Sequence, residues 1–246
     1  MKFKIIVTDA LKNQTFKAII KNQLNISNRL LSKLKRLQKI FVNEKIAFVN
    51  ELAKEGDIIQ ISFDYEEDDD TLAQNDKKID VLYEDDLFLA VDKPANMVVH
   101  PTSLHPNGTL ANYVKGYLKN NRKIRPINRL DNGTSGIVLF AKNEYAQEIF
   151  KSLNPKKEYI AVVDGKLEKK EGTIDLPIAR KSESIIERIV DFEKGQKAIT
   201  DYKVIKEVND YSVLGVFLET GRTHQIRVHL SYLGHPIVRW FIIWKS

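Results

Sequence analysis

The chain has 246 residues, of which 39 are Lys or Arg and 33 are Asp or Glu, so its formal net charge is +6. It contains no cysteine, which excludes disulfide frameworks, thiol nucleophiles, iron–sulfur clusters and thiolate zinc sites. Hydrophobic residues make up 43%, as in a globular protein, and no apolar stretch approaches the roughly 20 residues that span a bilayer. The apolar run at residues 5–7 is too short for a signal peptide. We therefore expect a cytoplasmic protein.

The charge is unevenly distributed along the chain. Residues 1–63 contain 12 basic and 5 acidic side chains, residues 64–92 contain 2 and 12, and residues 93–246 contain 25 and 16. Two basic segments separated by an acidic one favour a polyanion as partner, with nucleic acid as the first candidate. From charge alone, lysines that merely keep the protein soluble are an equally good interpretation.

An amphipathic helix is predicted over residues 22–39, with Ser27 placed to cap its start. Its apolar face consists of Leu30, Leu31, Leu34 and Leu37. A second stripe of the same helix is basic and consists of Arg29, Lys33 and Arg36. Short extended runs are predicted at residues 40–42, 47–49 and 58–63. Together these elements predict a compact, helix-rich module over residues 1–63.

The acidic segment at residues 64–80 has no apolar period, which predicts a solvated linker. Its carboxylates lack the loop glycine and ligand spacing of a calcium site, so we expect no metal there. From residue 81 the pattern predicts strands at 88–91, 137–140, 159–163 and 212–218 and helices at 109–118 and 143–153. This alternation indicates an α+β domain with a largely antiparallel sheet.

The segment RPINRLDNGTSG, residues 125–136, places Asp131 in a glycine-punctuated turn directly before a buried strand. Loops held by a rigid strand often present reactive side chains, and Arg129 lies two residues earlier. An aspartate that only stabilises its own turn is the competing interpretation.

The segment LETGRTHQIRVHL, residues 218–230, interrupts an otherwise apolar stretch with Arg222, His224 and Arg227. Buried arginines need an acidic side chain or a phosphate as partner. No carboxylate or cysteine completes a metal-ligand set with the histidines, so we expect no metal site. In KKEYIAVVDG, residues 156–165, Tyr159 heads a strand and by itself suggests a core aromatic residue.

Together these three segments resemble the RluA-type pseudouridine synthases, enzymes that isomerise uridine in ribosomal and other RNA. The strings Arg-Leu-Asp-x-x-Thr-Ser-Gly and Gly-Arg-x-His-Gln-Ile-Arg-x-His carry the resemblance, which extends over residues 24–238. Residues 1–63 resemble the alpha-L RNA-binding module. The resemblance implies that module, the acidic linker (64–80) and a pseudouridine synthase catalytic domain (81–246).

The resemblance also implies a role for each site residue. Asp131 matches the catalytic aspartate, Tyr159 the active-site tyrosine and Arg227 the arginine that pairs with the carboxylate. Arg129 matches the arginine that fills the gap left by the flipped nucleotide, since a stacked base must be extruded before it can react. Further RNA contacts are expected from Arg222, His224 and the stripe of Arg29, Lys33 and Arg36. The family requires neither cofactor nor metal.

We therefore expect isomerisation of specific uridines, with large-subunit ribosomal RNA as substrate, by base flipping and an Asp131-dependent change from a C–N to a C–C glycosidic bond. Attack on the ribose and addition to the base are both open routes. RNA is the expected partner, no membrane is involved, and the chain is expected to be monomeric. A catalytically inactive RNA-binding remnant is the alternative; a methyltransferase is disfavoured because no glycine-rich cofactor loop is present.

The last eight residues, RWFIIWKS, depart from the family pattern. Back-translated with A/T-rich codons and shifted by one base, they give Asp-Gly-Leu-Leu-Tyr-Gly, close to what the family has there. We therefore expect that a frameshift truncated the catalytic domain after Val238. Sequencing the gene across the Val238 codon checks this, and an uninterrupted reading frame would contradict it.

Overall fold

The computed structural model of the protein describes residues 1–65, 67, 72–119, 123–153, 155–182, 184 and 187–242. The helices in this part of the chain are α1 (Phe16–Leu24), α2 (Asn28–Arg36), α3 (Leu110–Leu118), α4 (Glu144–Leu153) and α5 (Gln225–Tyr232). The strands are β1 (Lys2–Ile6), β2 (Ile40–Val42), β3 (Lys45–Ile46), β4 (Ile58–Ser62), β5 (Asp80–Glu84), β6 (Phe88–Lys93), β7 (Arg125–Pro126), β8 (Gly136–Ala141), β9 (Glu158–Asp164), β10 (Glu171–Asp175), β11 (Ile178–Arg180), β12 (Arg188–Val190), β13 (Ile199–Val208), β14 (Tyr211–Leu218) and β15 (Ile237–Ile242).

The chain is α+β, as the sequence predicts, and it packs into two compact units. The first unit comprises Met1–Ala90, Ala111–Asn128 and Leu139–Asn154, and the second comprises Val91–Leu110, Arg129–Val138 and Pro155–Ser246. These units follow from packing alone, so the boundaries at residues 63 and 80 remain a prediction.

The first unit begins with an antiparallel sheet of strand order β1-β4-β2-β3. Two helices accompany it where the sequence predicts one, because Asn25 adopts a left-handed conformation with φ 50° and ends α1. The predicted cap of α2 is confirmed, since the Ser27 hydroxyl accepts a hydrogen bond from the Leu30 amide at 3.1 Å. The extended run predicted at residues 47–49 is wrong in position, because the observed strand β3 is Lys45–Ile46.

The core of the first unit forms where the apolar face of α2 meets buried residues of β4. Leu30 and Leu34 on the helix and Ile59 on the strand are fully buried. Burying each such side chain contributes about 1.5–3 kcal/mol. Tyr145, at the start of α4, belongs to the same cluster and packs edge-on against Phe3, with their ring centroids 5.0 Å apart. Three of the four leucines of the predicted apolar face are therefore buried in this core, whereas Leu37, the residue after α2, is exposed.

Part of the predicted acidic linker is packed against the protein. Leu72 is buried. The side-chain amide of Asn112 on α3 donates to the Ala73 carbonyl at 2.7 Å, and the Asn75 amide donates to the Asn112 carbonyl at 3.2 Å. Residues 72–76, here called the strap, thus lie on α3 and are not free in solvent. The acidic composition of the segment does not prevent this packing, because the packing uses the buried Leu72 side chain and the backbone groups of Ala73 and Asn75.

The second unit contains an antiparallel sheet of order β10-β13-β14-β9-β15. Its core includes Val163 of β9, Leu214 of β14 and Leu230 of α5, all fully buried. Helix α5 packs against β12, β13 and β15. In the segment that the frameshift prediction concerns, β15 pairs with β9, and residues 243–246 lie outside the described part of the chain.

A further sheet has the strand order β5-β6-β8-β7. The strands β6 and β8 hold two residues that are described below with the candidate site. Strand β6 ends at Lys93, and β8 begins at Gly136, five residues after Asp131. Within the described residues, no helix has the length and apolar character needed to cross a membrane.

Candidate active site

Asp131 lies in a tight turn that leads into β8. The Thr134 amide donates to the Asp131 carbonyl at 3.0 Å, which closes the turn. Gly136, the first residue of β8, has φ 121°, a conformation that L side chains rarely adopt. The Asn96 amide donates to the Asn132 carbonyl at 2.8 Å and ties the turn to the loop after β6. The backbone around Asp131 is therefore held by the strand and by a neighbouring loop.

Lys93, at the end of β6, is fully buried and supports the same turn. Its ammonium donates to the carbonyls of Pro94 at 2.9 Å, Met97 at 2.6 Å and Asn132 at 3.3 Å. Lys93 is not among the site residues that the sequence predicts. A lysine within the apolar strand FLAVDK was the one available indication, because buried lysines need several hydrogen-bond acceptors.

Burial lowers the pKa of Lys93 to about 8, while the charges of Asp131 and Asp92 oppose this shift. At pH values between this pKa and the pKa of a lysine in the unfolded chain, the unfolded state binds more protons than the folded state. We therefore expect the wild type to gain stability relative to Lys93→Met as the pH rises from about 8 to 10. Urea unfolding of both proteins across this range measures the difference; one that stays constant with pH would contradict the assignment.

Helix α5 brings two cationic or titratable groups to Asp131. The Oδ2 atom of Asp131 lies 3.7 Å from His224 Nε2 and 4.0 Å from Arg227 Nη1. Both distances exceed hydrogen-bond length, so the interactions are electrostatic. The side chains of Asp131 and His224 are 30% and 21% exposed, which leaves both open to a bound molecule. His224 is the N-cap residue of α5 and has φ 57°, an uncommon conformation outside glycine.

A buried amide fixes the start of α5. The Gln225 side chain accepts from the Arg222 amide at 2.9 Å and the Thr220 hydroxyl at 2.8 Å. It donates to the Ile199 carbonyl at 2.8 Å and the Thr200 hydroxyl at 2.9 Å on β13. All four hydrogen-bonding positions of the amide are thus used. His224, the preceding residue, is placed by this anchor.

The second histidine of the motif has a structural environment. His229 is fully buried, with Nε2 3.0 Å from the Leu176 carbonyl and Nδ1 2.9 Å from the Thr200 hydroxyl. A carbonyl can only accept, so Nε2 carries a hydrogen, and in a neutral ring Nδ1 accepts from the Thr200 hydroxyl. Burial lowers the pKa of His229, which agrees with this state.

The other site residues that the sequence predicts in the second unit differ in burial and in their contacts. Tyr159, the second residue of β9, is partly buried. Burial together with the charge of Asp131 raises the pKa of its phenol. Arg129, two residues before Asp131 in the chain, is exposed. Arg222 is also exposed, and its Nε donates to the Lys197 carbonyl at 3.1 Å. Asp131, Tyr159, His224 and Arg227 thus form one cluster, here called the Asp131 cluster.

The predicted basic stripe of α2 belongs to the first unit. Arg29 Nη2 lies 2.9 Å from one carboxylate oxygen of Glu144 and Lys33 Nζ lies 2.6 Å from the other. Lys33 also forms an ion pair with Glu67. Arg36 is exposed. Two of the three predicted RNA contacts are therefore paired with carboxylates, which the spacing of basic residues does not reveal.

The arrangement combines one partly exposed carboxylate, a guanidinium, a phenol and an imidazole. Among the described residues no group of three or more acidic or histidine side chains is placed to hold a metal ion. Such a cluster can act on a polar substrate by nucleophilic attack or proton transfer through Asp131, whose carboxylate faces the guanidinium of Arg227.

Residues 87–232 match the model of the family described as RNA pseudouridylate synthase. The chain is 39% identical over 226 residues to the uncharacterized RNA pseudouridine synthase YjbO of Bacillus subtilis, covering 87% of this chain and 78% of the relative. It is 34% identical over 207 residues to ribosomal large subunit pseudouridine synthase D of Borreliella burgdorferi, covering 79% of this chain and 63% of that protein.

A solved structure also resembles the chain. Human RNA pseudouridylate synthase domain containing 1 superposes with a TM-score of 0.56 at 27% sequence identity, covering 67% of this chain and 69% of the human chain. The Asp131 cluster lies within the residues that the family model matches.

Proposed function

The chain belongs to the RluA-type RNA pseudouridylate synthase family, an enzyme family that isomerises uridine to pseudouridine in RNA, and we propose that its substrate is large-subunit ribosomal RNA and that Asp131 is its catalytic carboxylate. The observation that carries the catalytic assignment is the Asp131 cluster, in which a partly exposed carboxylate faces Arg227. The ribosomal substrate is supported by the name of the Borreliella relative. We also propose a cytoplasmic monomer.

The isomerisation breaks the N1–C1′ bond of uridine and joins C5 to C1′, so one proton leaves C5 and one is gained at N1. A base inside an RNA helix must first leave its stack. Arg129, two residues before Asp131, is exposed and would occupy the space that the base vacates, because a guanidinium can both stack and donate hydrogen bonds. Asp131 then attacks the ribose or adds to the base, and either route frees the uracil to rotate.

The neighbours of Asp131 support this chemistry. The guanidinium of Arg227 lies 4.0 Å from the Asp131 carboxylate and helps position it. Tyr159 offers an aromatic face for the uracil, and its phenol stays protonated at neutral pH because its pKa is raised. Arg222 and His224 add polar surface for the RNA beside the reacting nucleotide. No step of this scheme requires a redox partner or a group donor, because the atoms of the product are those of the substrate.

Tritium release tests the proposal, because tritium at C5 of uridine enters water only when C5 forms the new glycosidic bond. The purified chain is incubated with transcripts of large-subunit and small-subunit ribosomal RNA that carry 5-tritiated uridine. We expect release from the large-subunit transcript and none from the other. Release only from the small-subunit transcript would contradict the substrate. RNA binding without release from either would identify an RNA-binding remnant without activity.

Arg36 is exposed and, unlike Arg29 and Lys33, forms no ion pair with a carboxylate among the described residues. We expect Arg36→Ala to weaken binding to ribosomal RNA at low salt and to reduce the salt slope of the binding constant by about 0.7–0.9, the effect of one lost phosphate contact. Filter binding at several salt concentrations measures both. Lys170→Ala, which removes a lysine paired with Glu207 in the second unit, serves as the charge-matched control. An unchanged slope for Arg36→Ala would remove α2 from the RNA-binding surface.

A further inference from the structure

His224 combines three features that its predicted role in RNA binding does not require. Its Nε2 lies 3.7 Å from the carboxylate of Asp131, its side chain is 21% exposed, and its backbone is held at φ 57° by the anchored start of α5. Uncommon backbone conformations that persist at the edge of a site are frequent among residues with a chemical role. The imidazole is therefore held beside the reacting carboxylate and is open to substrate.

The charges around His224 favour its neutral form. Burial lowers its pKa, Asp131 opposes this, and the guanidinium groups of Arg227, Arg188 and Arg129 lower it further. These four residues are the charged groups that act on the ring from the Asp131 turn, from β12 and from α5 itself. At neutral pH the imidazole is thus uncharged and can accept a proton.

Few other groups near Asp131 can accept a proton. Tyr159 remains a phenol because its pKa is raised, and guanidinium groups stay protonated in proteins. The ammonium of Lys93 is already engaged with three carbonyls. Among the described side chains of the Asp131 cluster, Asp131 and His224 are therefore the proton acceptors, and Asp131 is used in breaking the first bond.

We propose that His224 is the catalytic base that removes the proton from C5 after the new C5–C1′ bond has formed. This inference rests on the proposed function of Asp131, which acts at C1′, C2′ or the base. At this stage C5 is bonded to C1′, so the hydrogen on C5 lies close to the part of the nucleotide on which Asp131 has acted. A group 3.7 Å from the Asp131 carboxylate is within reach of it.

The step balances in protons and electrons. The C5–H bond breaks, its electron pair forms the C5=C6 double bond, and the pair of the C6=N1 bond moves to N1, which takes a proton from water. Nε2 of His224 accepts the C5 proton and the imidazolium then returns it to solvent. Proton transfer by a positioned side chain contributes about 10²–10⁴-fold to a rate.

His224→Asn removes the base while keeping a side chain that tolerates the left-handed conformation. The variant is compared with the wild type on transcripts whose target nucleotide is uridine, 5-deuterouridine or 5-fluorouridine, the last of which has no proton to lose from C5. We expect the single-turnover rate on uridine to fall by about 10²-fold and a primary isotope effect with deuterium to appear. The rearrangement of 5-fluorouridine, followed by nuclease digestion and chromatography, should remain within about twofold of the wild type.

The pH profile gives a second measure. The wild-type rate on uridine should decline as the pH falls through the pKa of His224, and His224→Asn should lose this decline. His105→Asn, at an exposed histidine of the second unit, is the matched control. Equal slowing on uridine and 5-fluorouridine would show that His224 only positions Asp131, and unchanged rates would show that it has no role. Either result leaves the catalytic role of Asp131 standing, because that assignment is contradicted by a different result, an Asp131→Asn variant that remains active on both substrates.

Discussion

Replacing Asp131 with asparagine is expected to reduce pseudouridine formation by about 10³-fold or more while leaving RNA affinity largely unchanged. Asparagine keeps the size of the side chain and its fit to the turn closed by Thr134. It removes the charge that faces Arg227 and the oxygen that attacks or accepts a proton. Single-turnover tritium release from ribosomal RNA transcripts measures the activity, and filter binding measures the affinity.

A second aspartate separates the loss of this group from the loss of one negative charge. Asp164→Asn changes the charge by the same amount on an exposed residue of β9 and should retain the wild-type rate. If Asp131→Asn retains release, the catalytic assignment is wrong. If it loses release and RNA binding together, the carboxylate serves the fold or the RNA surface, and the thermal unfolding midpoints of the two variants distinguish these outcomes.

Gly116→Ala is expected to detach the strap from α3 and to lower the free energy of unfolding by about 2 kcal/mol. A Cβ atom at this position would lie 2.1 Å from the carbonyl oxygen of Asn75, a backbone atom that cannot move unless the strap moves. The displaced strap would expose Leu72 and break the hydrogen bonds of Asn112. The better helix propensity of alanine, about 1 kcal/mol, offsets only part of this loss.

Urea unfolding measures the loss of stability, and hydrogen exchange of the amide of Asn75, which donates to Asn112, reports whether the strap has detached. Gly221→Ala is the control, because a Cβ there would meet no atom within 4 Å. We expect its stability to stay within about 0.5 kcal/mol of the wild type. Full stability and unchanged exchange in Gly116→Ala would mean that the strap is not packed against α3 in solution.

Local periodicity predicted several elements closely. The helices at residues 109–118 and 143–153 and the strands at 137–140, 159–163 and 212–218 each lie within two residues of an observed element. These segments have a clear apolar face or an apolar run, so the pattern that buries them is visible in the sequence. Helix α5 has no such pattern. It forms where Gln225 and His229 bind the backbone and side chains of β13 and its neighbours.

The α+β class and the family motifs around Asp131, Tyr159 and Arg227 were determined by the sequence itself, because alternation, turn residues and motif spacing are local properties. Apart from the contact of Arg227 with Asp131, tertiary structure alone decided which polar groups meet. It pairs Arg29 and Lys33 with Glu144, buries Lys93 beneath the Asp131 turn and brings His224 to 3.7 Å from Asp131. Burial and electrostatic partners depend on residues far apart in the chain, so residue type and spacing do not reveal them.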